Sequence, residues 1–150
     1  MTDEIHHCCP SVRPFRAEPE GRLVAWNLHT HEMAWSFEEL FPLWSGALST
    51  AAGVAFYGTL DGYLKALDVK TGRELYRYRT GAGIVGDVIS YEIKGKQYIA
   101  VLSGPGGLVG VGLSDLSRSN EGLRITEGSN SGLGRFTALG GELTVFRLPD

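Results

Sequence analysis

One pattern occurs twice in this chain, 41 residues apart. Ala25-Trp26-Asn27-Leu28-His29-Thr30-His31-Glu32-Met33-Ala34-Trp35 and Ala66-Leu67-Asp68-Val69-Lys70-Thr71-Gly72-Arg73-Glu74-Leu75-Tyr76 share the form A-x-[DN]-x-x-T-[GH]-x-x-x-aromatic. A period near 40 residues is that of a four-stranded propeller blade. The parts fit that reading. An Asp or Asn at the third position accepts bonds from backbone N–H groups two and three residues on, and a glycine four residues later takes the left-handed conformation. The alanine packs toward the next blade, and the closing aromatic docks between sheets. A blade cannot bury both faces by itself, so blades must stack. At 150 residues the chain holds about two to three blades of this period, too few to close a ring. The expected fold is all-β, a partial β-propeller.

Period-2 alternation and turn chemistry outline the strands. Arg22–Trp26 and Met33–Phe37 flank the first turn. Gly53–Thr59, Tyr63–Leu67 and Glu74–Arg79 form the next unit, with Asp61-Gly62 as a two-residue hairpin signal in which both residues tolerate positive φ. Val88–Ile93 and Gln97–Leu102 flank Lys94-Gly95, and Glu142–Leu148 is a last clean strand. Residues 1–19 carry Pro10, Pro14 and Pro19 without periodicity and read as a poorly ordered tail ahead of the blade region 20–150. Of the 21 glycines, eleven fall between Ser103 and Gly141, where regularity fails. A stretch that long is a functional loop or a disordered one.

Several function classes are excluded. A net charge of −3 and a pI near 5.8 give no footprint for nucleic acid or an anionic membrane. No apolar run reaches the roughly 18 residues of a membrane span. The opening MTDEIHHCCP has no basic region followed by an apolar one, so a chain beginning this way is expected to stay in the cytoplasm. Phosphate-loop, nucleophile-elbow and C-x-x-C patterns are missing. Cys8 and Cys9 are adjacent and cannot staple two elements together. His6-His7-Cys8-Cys9 is four potential ligands in a row, which cannot converge on one ion without a scaffold. Asp61 and Asp68 are turn residues by context, Asp87 receives no role, and Glu38-Glu39 reads as a solvated pair before a turn.

Beyond the repeat, longer strings become specific: Phe41-Pro42-Leu43-Trp44-Ser45-Gly46-Ala47-Leu48, Gly53–Gly62, Gly83-Ile84-Val85-Gly86, Lys94–Val101 and Leu139–Phe146. Together they resemble the C-terminal part of the large subunit of the quinoprotein alcohol dehydrogenases. These are eight-bladed propellers with tryptophan-docking repeats that use pyrroloquinoline quinone (PQQ), and the match is to the methanol dehydrogenase branch. The resemblance runs from about residue 20 to the end. It implies oxidation of primary alcohols in a periplasmic parent, with electrons passed to a cytochrome c, and it implies that this piece by itself is inactive.

The resemblance also places Trp44 at the cofactor. Its ring would supply apolar wall and its indole N–H a donor, and the small residues after it would let the backbone run close to a flat ligand. The alternative is a blade-core aromatic, since Trp26, Trp35 and Trp44 stand nine residues apart. Leu108 stands where the family has a second cofactor-side tryptophan, so a donor and most of a ring are lost at that edge. The family's calcium or lanthanide is held by residues of upstream blades. No matching metal ligands and no catalytic residues occur in this chain. A rival reading is a non-catalytic propeller segment that acts as an interaction module or completes a ring by oligomerising through exposed blade edges.

Overall fold

The computed structural model describes residues 19, 21–104, 136–138 and 140–147. These form nine strands and no helix: β1 (Gly21–Asn27), β2 (Glu32–Glu39), β3 (Ala47–Ser49), β4 (Val54–Gly58), β5 (Tyr63–Asp68), β6 (Glu74–Arg79), β7 (Val88–Ile93), β8 (Lys96–Ser103) and β9 (Glu142–Arg147). All pairings are antiparallel, in three sheets ordered β1-β2, β3-β4-β5-β6 and β7-β8-β9. The middle sheet is thus a four-stranded blade in meander order, with a partial sheet on either side. The all-strand architecture without a closed barrel is that of a partial propeller. Most of the Gly-rich stretch 103–141, including Leu108, and the tail with its cysteine pair lie outside the described residues.

The repeat is conformational as well as sequential. Asn27 Oδ1 accepts from the N–H groups of His29 and Thr30 at 2.9 and 3.3 Å. Asp68 Oδ1 accepts from those of Lys70 and Thr71 at 3.0 and 2.8 Å. His31 N–H and Gly72 N–H then donate to the carbonyls of Asn27 and Asp68, both at 2.8 Å. His31 and Gly72 sit at φ 57° and 71°, so histidine occupies a left-handed position where glycine costs less. The strand register slips at equivalent points too, between Ala25 and Trp26 and between Ala66 and Leu67.

Two features differ from the sequence reading. Gly62 has φ 87°, but Asp61 is not left-handed. The turn is instead Thr59-Leu60-Asp61-Gly62, closed by Gly62 N–H to Thr59 O at 3.1 Å, with Thr59 Oγ1 accepting from Tyr63 N–H at 2.9 Å. Thr50-Ala51-Ala52-Gly53 repeats the same construction, with Gly53 at φ 82°. The threonine hydroxyl satisfies the strand end and a glycine follows, which relieves the need for two positive-φ residues. Lys94 and Gly95, at φ 53° and 74°, form the two-residue turn of that kind. Strand β3 was not expected, because Ala47-Leu48-Ser49 is too short to alternate. It exists through its pairing with Phe56 and its neighbours on β4.

The main core lies between the second and third sheets. Leu64, Ile84, Val88, Ile99 and Val101 are buried there, with Leu48, Phe56 and Phe146 against them. Approach is close enough that a β-carbon at Gly58 would sit 2.1 Å from Ile84 Cγ2. The first sheet docks on the second through one face of β2, where period 2 aligns Trp35, Phe37 and Glu39. Trp35 lies on the backbone of Gly72 and donates Nε1–H to Val69 O at 2.8 Å. The aromatic of the repeat therefore docks on the turn of the next blade, as expected. Its counterpart Tyr76 turns its ring edge to Phe146 of the third sheet, 6.4 Å between centroids.

Candidate functional site

Trp44 lies in the loop between β2 and β3, and the loop is anchored at several points. At its entry Glu39, the last residue of β2, is buried. Its carboxylate accepts from Lys65 Nζ at 2.6 and 2.8 Å and from Tyr57 O–H at 2.6 Å. Tyr57 and Lys65 are cross-strand partners on β4 and β5, so they present both donors side by side. Phe37 covers the ammonium from the first sheet, 5.3 Å from ring centroid to Nζ. Burial first, and then the bond to the Glu39 carboxylate, hold the Tyr57 phenol far above its ordinary range and therefore neutral. Glu39 is thus no solvated residue, although Glu38 beside it is exposed and pairs with Arg22.

Within the loop, Phe41 is buried with Leu60, the pair has Leu40 and Val85 packed against it, and Phe136 meets the Phe41 ring edge-on at 5.4 Å. At the exit Ser45 Oγ accepts from Gly58 N–H at 2.8 Å and donates to Gly58 O at 2.9 Å. Gly46 N–H donates to Asp87 Oδ1 at 3.1 Å. A β-carbon at Gly46 would lie 2.1 Å from that oxygen. Glycine stands at 46 because the Asp87 carboxylate fills the space, which corrects the expectation that Asp87 has no role.

Between these anchors Trp44 is 49 % exposed, and no partner for its indole N–H occurs among the described residues. The three tryptophans do not share an environment. Trp35 is docked, Trp26 is largely exposed, and Trp44 projects from the approach to the first strand of the middle sheet. Trp44 is thus not among the buried core residues of these sheets. The arrangement is an anchored backbone bearing a half-exposed indole.

The remaining candidates separate cleanly. Asp68 is held by its own turn, its carboxyl lowered below the usual range chiefly by the Thr71 hydroxyl and then the Thr71 N–H. Asp61 sits in the turn Thr59–Gly62. Among the described residues no group of three or more His, Cys, Asp or Glu side chains is placed to hold a metal ion. His6, His7, Cys8, Cys9 and Leu108 lie outside them. Sequence reasoning missed Glu39, Tyr57 and Lys65 as a cluster. The signal was Lys65 amid Leu64, Ala66 and Leu67, a cation in an otherwise apolar run that requires a buried partner.

Comparison with known proteins now specifies the family. Residues 6–99 match the family model described as PQQ, glucose/ethanol/alcohol dehydrogenase β-propeller domain. A lanthanide-dependent methanol dehydrogenase of Methylorubrum extorquens is 51 % identical over 131 residues, 87 % of this chain and 22 % of that protein. Subunit 1 of a methanol dehydrogenase [cytochrome c] from the same species is 41 % identical over 129 residues, 85 % of this chain and 20 % of its own length. Among solved structures, a europium-containing methanol dehydrogenase superimposes with a TM-score of 0.72 at 38 % identity, covering 85 % of this chain and 23 % of that one. The chain therefore spans about a fifth of the length of these relatives. Among the described residues no helix is long and apolar enough to cross a membrane. With its doubled turn, its docked Trp35 and these matches, the chain belongs to the PQQ-dependent alcohol dehydrogenase β-propeller family.

Proposed function

We propose that the chain is a C-terminal piece of a methanol dehydrogenase-like quinoprotein whose full-length parent oxidises a primary alcohol in the periplasm and passes the electrons to a cytochrome c. Its contribution is blade structure from about residue 20 onward and one wall of the cofactor pocket, Trp44. The observation that carries this reading is the half-exposed Trp44 indole, its N–H without a partner among the described residues, on a loop pinned to two neighbouring sheets.

A flat quinone fits that feature. The ring offers a stacking face and Nε1–H a donor to a quinone or carboxylate oxygen. When bound, PQQ supplies the two-electron acceptor that alcohol oxidation requires. The residues of this chain orient it and exclude water on one side. With no cluster of three potential ligands among the described residues, no step is assigned through calcium or a lanthanide, and no residue of the chain is proposed as a proton acceptor.

Two experiments test this reading. The purified chain given PQQ, calcium or lanthanum, and an artificial electron acceptor is expected to show no methanol-dependent turnover; turnover would overturn the proposed division of labour. Grafted in place of the matching fifth of the Methylorubrum lanthanide-dependent enzyme, the chain is expected to support methanol oxidation, and Trp44→Ala in that graft to lower it. A folded graft whose activity ignores Trp44→Ala would remove the cofactor role.

A second reading, self-association, is favoured by one surface. The outward face of the third sheet is apolar, carrying Ile89, Ile93, Leu102 and Leu143, the last two directly paired and 59 % and 66 % exposed. Exposed apolar residues sharing one sheet face suit an interface, and in the primary reading another blade of the parent covers them. Light scattering on the purified chain discriminates: a defined closed oligomer supports the interaction-module reading.

A further inference from the structure

We infer that Asp87 is a positioning residue for the Trp44 indole, acting across a blade boundary. The inference rests on the proposed role of Trp44 and adds to it the group that sets the ring's direction. Asp87 stands just ahead of β7 and so belongs to the third sheet, whereas Trp44 leads into the second. Its Oδ1 accepts from Gly46 N–H at 3.1 Å, two residues beyond Trp44. That approach is possible only because position 46 lacks a β-carbon. On the opposite side Ser45 Oγ holds both the N–H and the carbonyl of Gly58, at 2.8 and 2.9 Å.

The dipeptide after Trp44 is therefore clamped between two sheets. One jaw is a hydroxyl bonded to β4, and the other is a carboxylate arriving with the next blade. Fixing these peptide planes limits the backbone of the residue before them, and the direction of a side chain follows its backbone. Trp44 is half exposed, so within these sheets packing covers only part of its ring, and the backbone that Asp87 helps to fix carries a larger share of its direction. The bond needs an acceptor oxygen rather than a charge, so asparagine at 87 replaces the function and alanine does not.

The test uses the full chain labelled with 5-fluorotryptophan, which has three fluorine resonances. Trp44→Phe assigns one of them. In Asp87→Ala the Trp44 resonance is expected to shift and narrow while those of Trp26 and Trp35 stay in place, and Asp87→Asn is expected to restore it. In the graft into the Methylorubrum enzyme, which supplies the rest of the pocket, PQQ affinity is expected to weaken about 3- to 10-fold in Asp87→Ala and to recover in Asp87→Asn. An unmoved Trp44 resonance in Asp87→Ala overturns the inference. Movement of all three resonances also counts against it, since that shows support of the fold at large. If Asp87→Ala moves only the Trp44 resonance but Trp44→Ala leaves the PQQ affinity of the graft unchanged, the positioning bond stands and the cofactor reading fails.

Discussion

Removing the Lys65 ammonium should destabilise the chain far more than loss of a typical lysine. Both oxygens of Glu39 receive Nζ, at 2.6 and 2.8 Å, and only 10 % of the Lys65 side chain and 7 % of the Glu39 side chain are exposed. In Lys65→Met the stem's packing is largely kept, but the carboxylate retains only the Tyr57 hydroxyl. Breaking a buried pair from one side costs about 3–5 kcal/mol, because an uncompensated charge stays behind. Replacing both partners, Glu39→Leu with Lys65→Met, leaves only the Tyr57 hydroxyl orphaned, at about 1–3 kcal/mol. The double variant should thus be more stable than either single one, a large departure from additivity. Urea unfolding followed by tryptophan fluorescence reads this directly, since the docked Trp35 leaves its site as the first sheet separates. With a slope of about 1–3 kcal/mol per molar urea, the single variant loses at least about 1 M in midpoint. A loss under about 1 kcal/mol for Lys65→Met, the range of solvent-screened surface pairs, would refute the reasoning.

Two further outcomes follow from the same packing. Because the Tyr57 phenol titrates well above its ordinary value of 10.0 when folded, its contribution is fully present below about pH 10 and is lost as pH rises beyond it; a pH series of melting temperatures should show this alkaline loss shrinking in Tyr57→Phe. Gly72→Ala should cost about 1–3 kcal/mol by urea unfolding, since φ is 71° and a β-carbon would meet the Trp35 ring at 2.7 Å. A stability equal to that of the unmodified chain would mean that Trp35 does not rest on that turn.

What could be read in advance was whatever depends on residues close along the chain. Asp68 bonds to N–H groups two and three positions away, so its turn follows from sequence wherever the segment lies. The same holds for Asn27, and their spacing carries the blade period. Misreadings arose where a local rule had competition. Asp61-Gly62 had the composition of a two-residue turn, but Thr59, with a hydroxyl able to cap the strand end, captured the geometry instead. Strand β3 had too few residues to alternate and needed β4 to exist.

By itself, then, the sequence determined the strand alternation, the repeated turn and the stacking architecture they entail, because each is encoded by side chains acting on their own backbone. The tertiary structure alone decided what holds the site. Glu39 reaches Tyr57 and Lys65 across 18 and 26 residues, and Asp87 reaches Gly46 across 41. A charged residue's burial is a property of the opposing sheet, not of its own strand. Glutamate 39 and its neighbour Glu38 are the same amino acid, yet alternation along β2 sends one toward a buried lysine and the other into water.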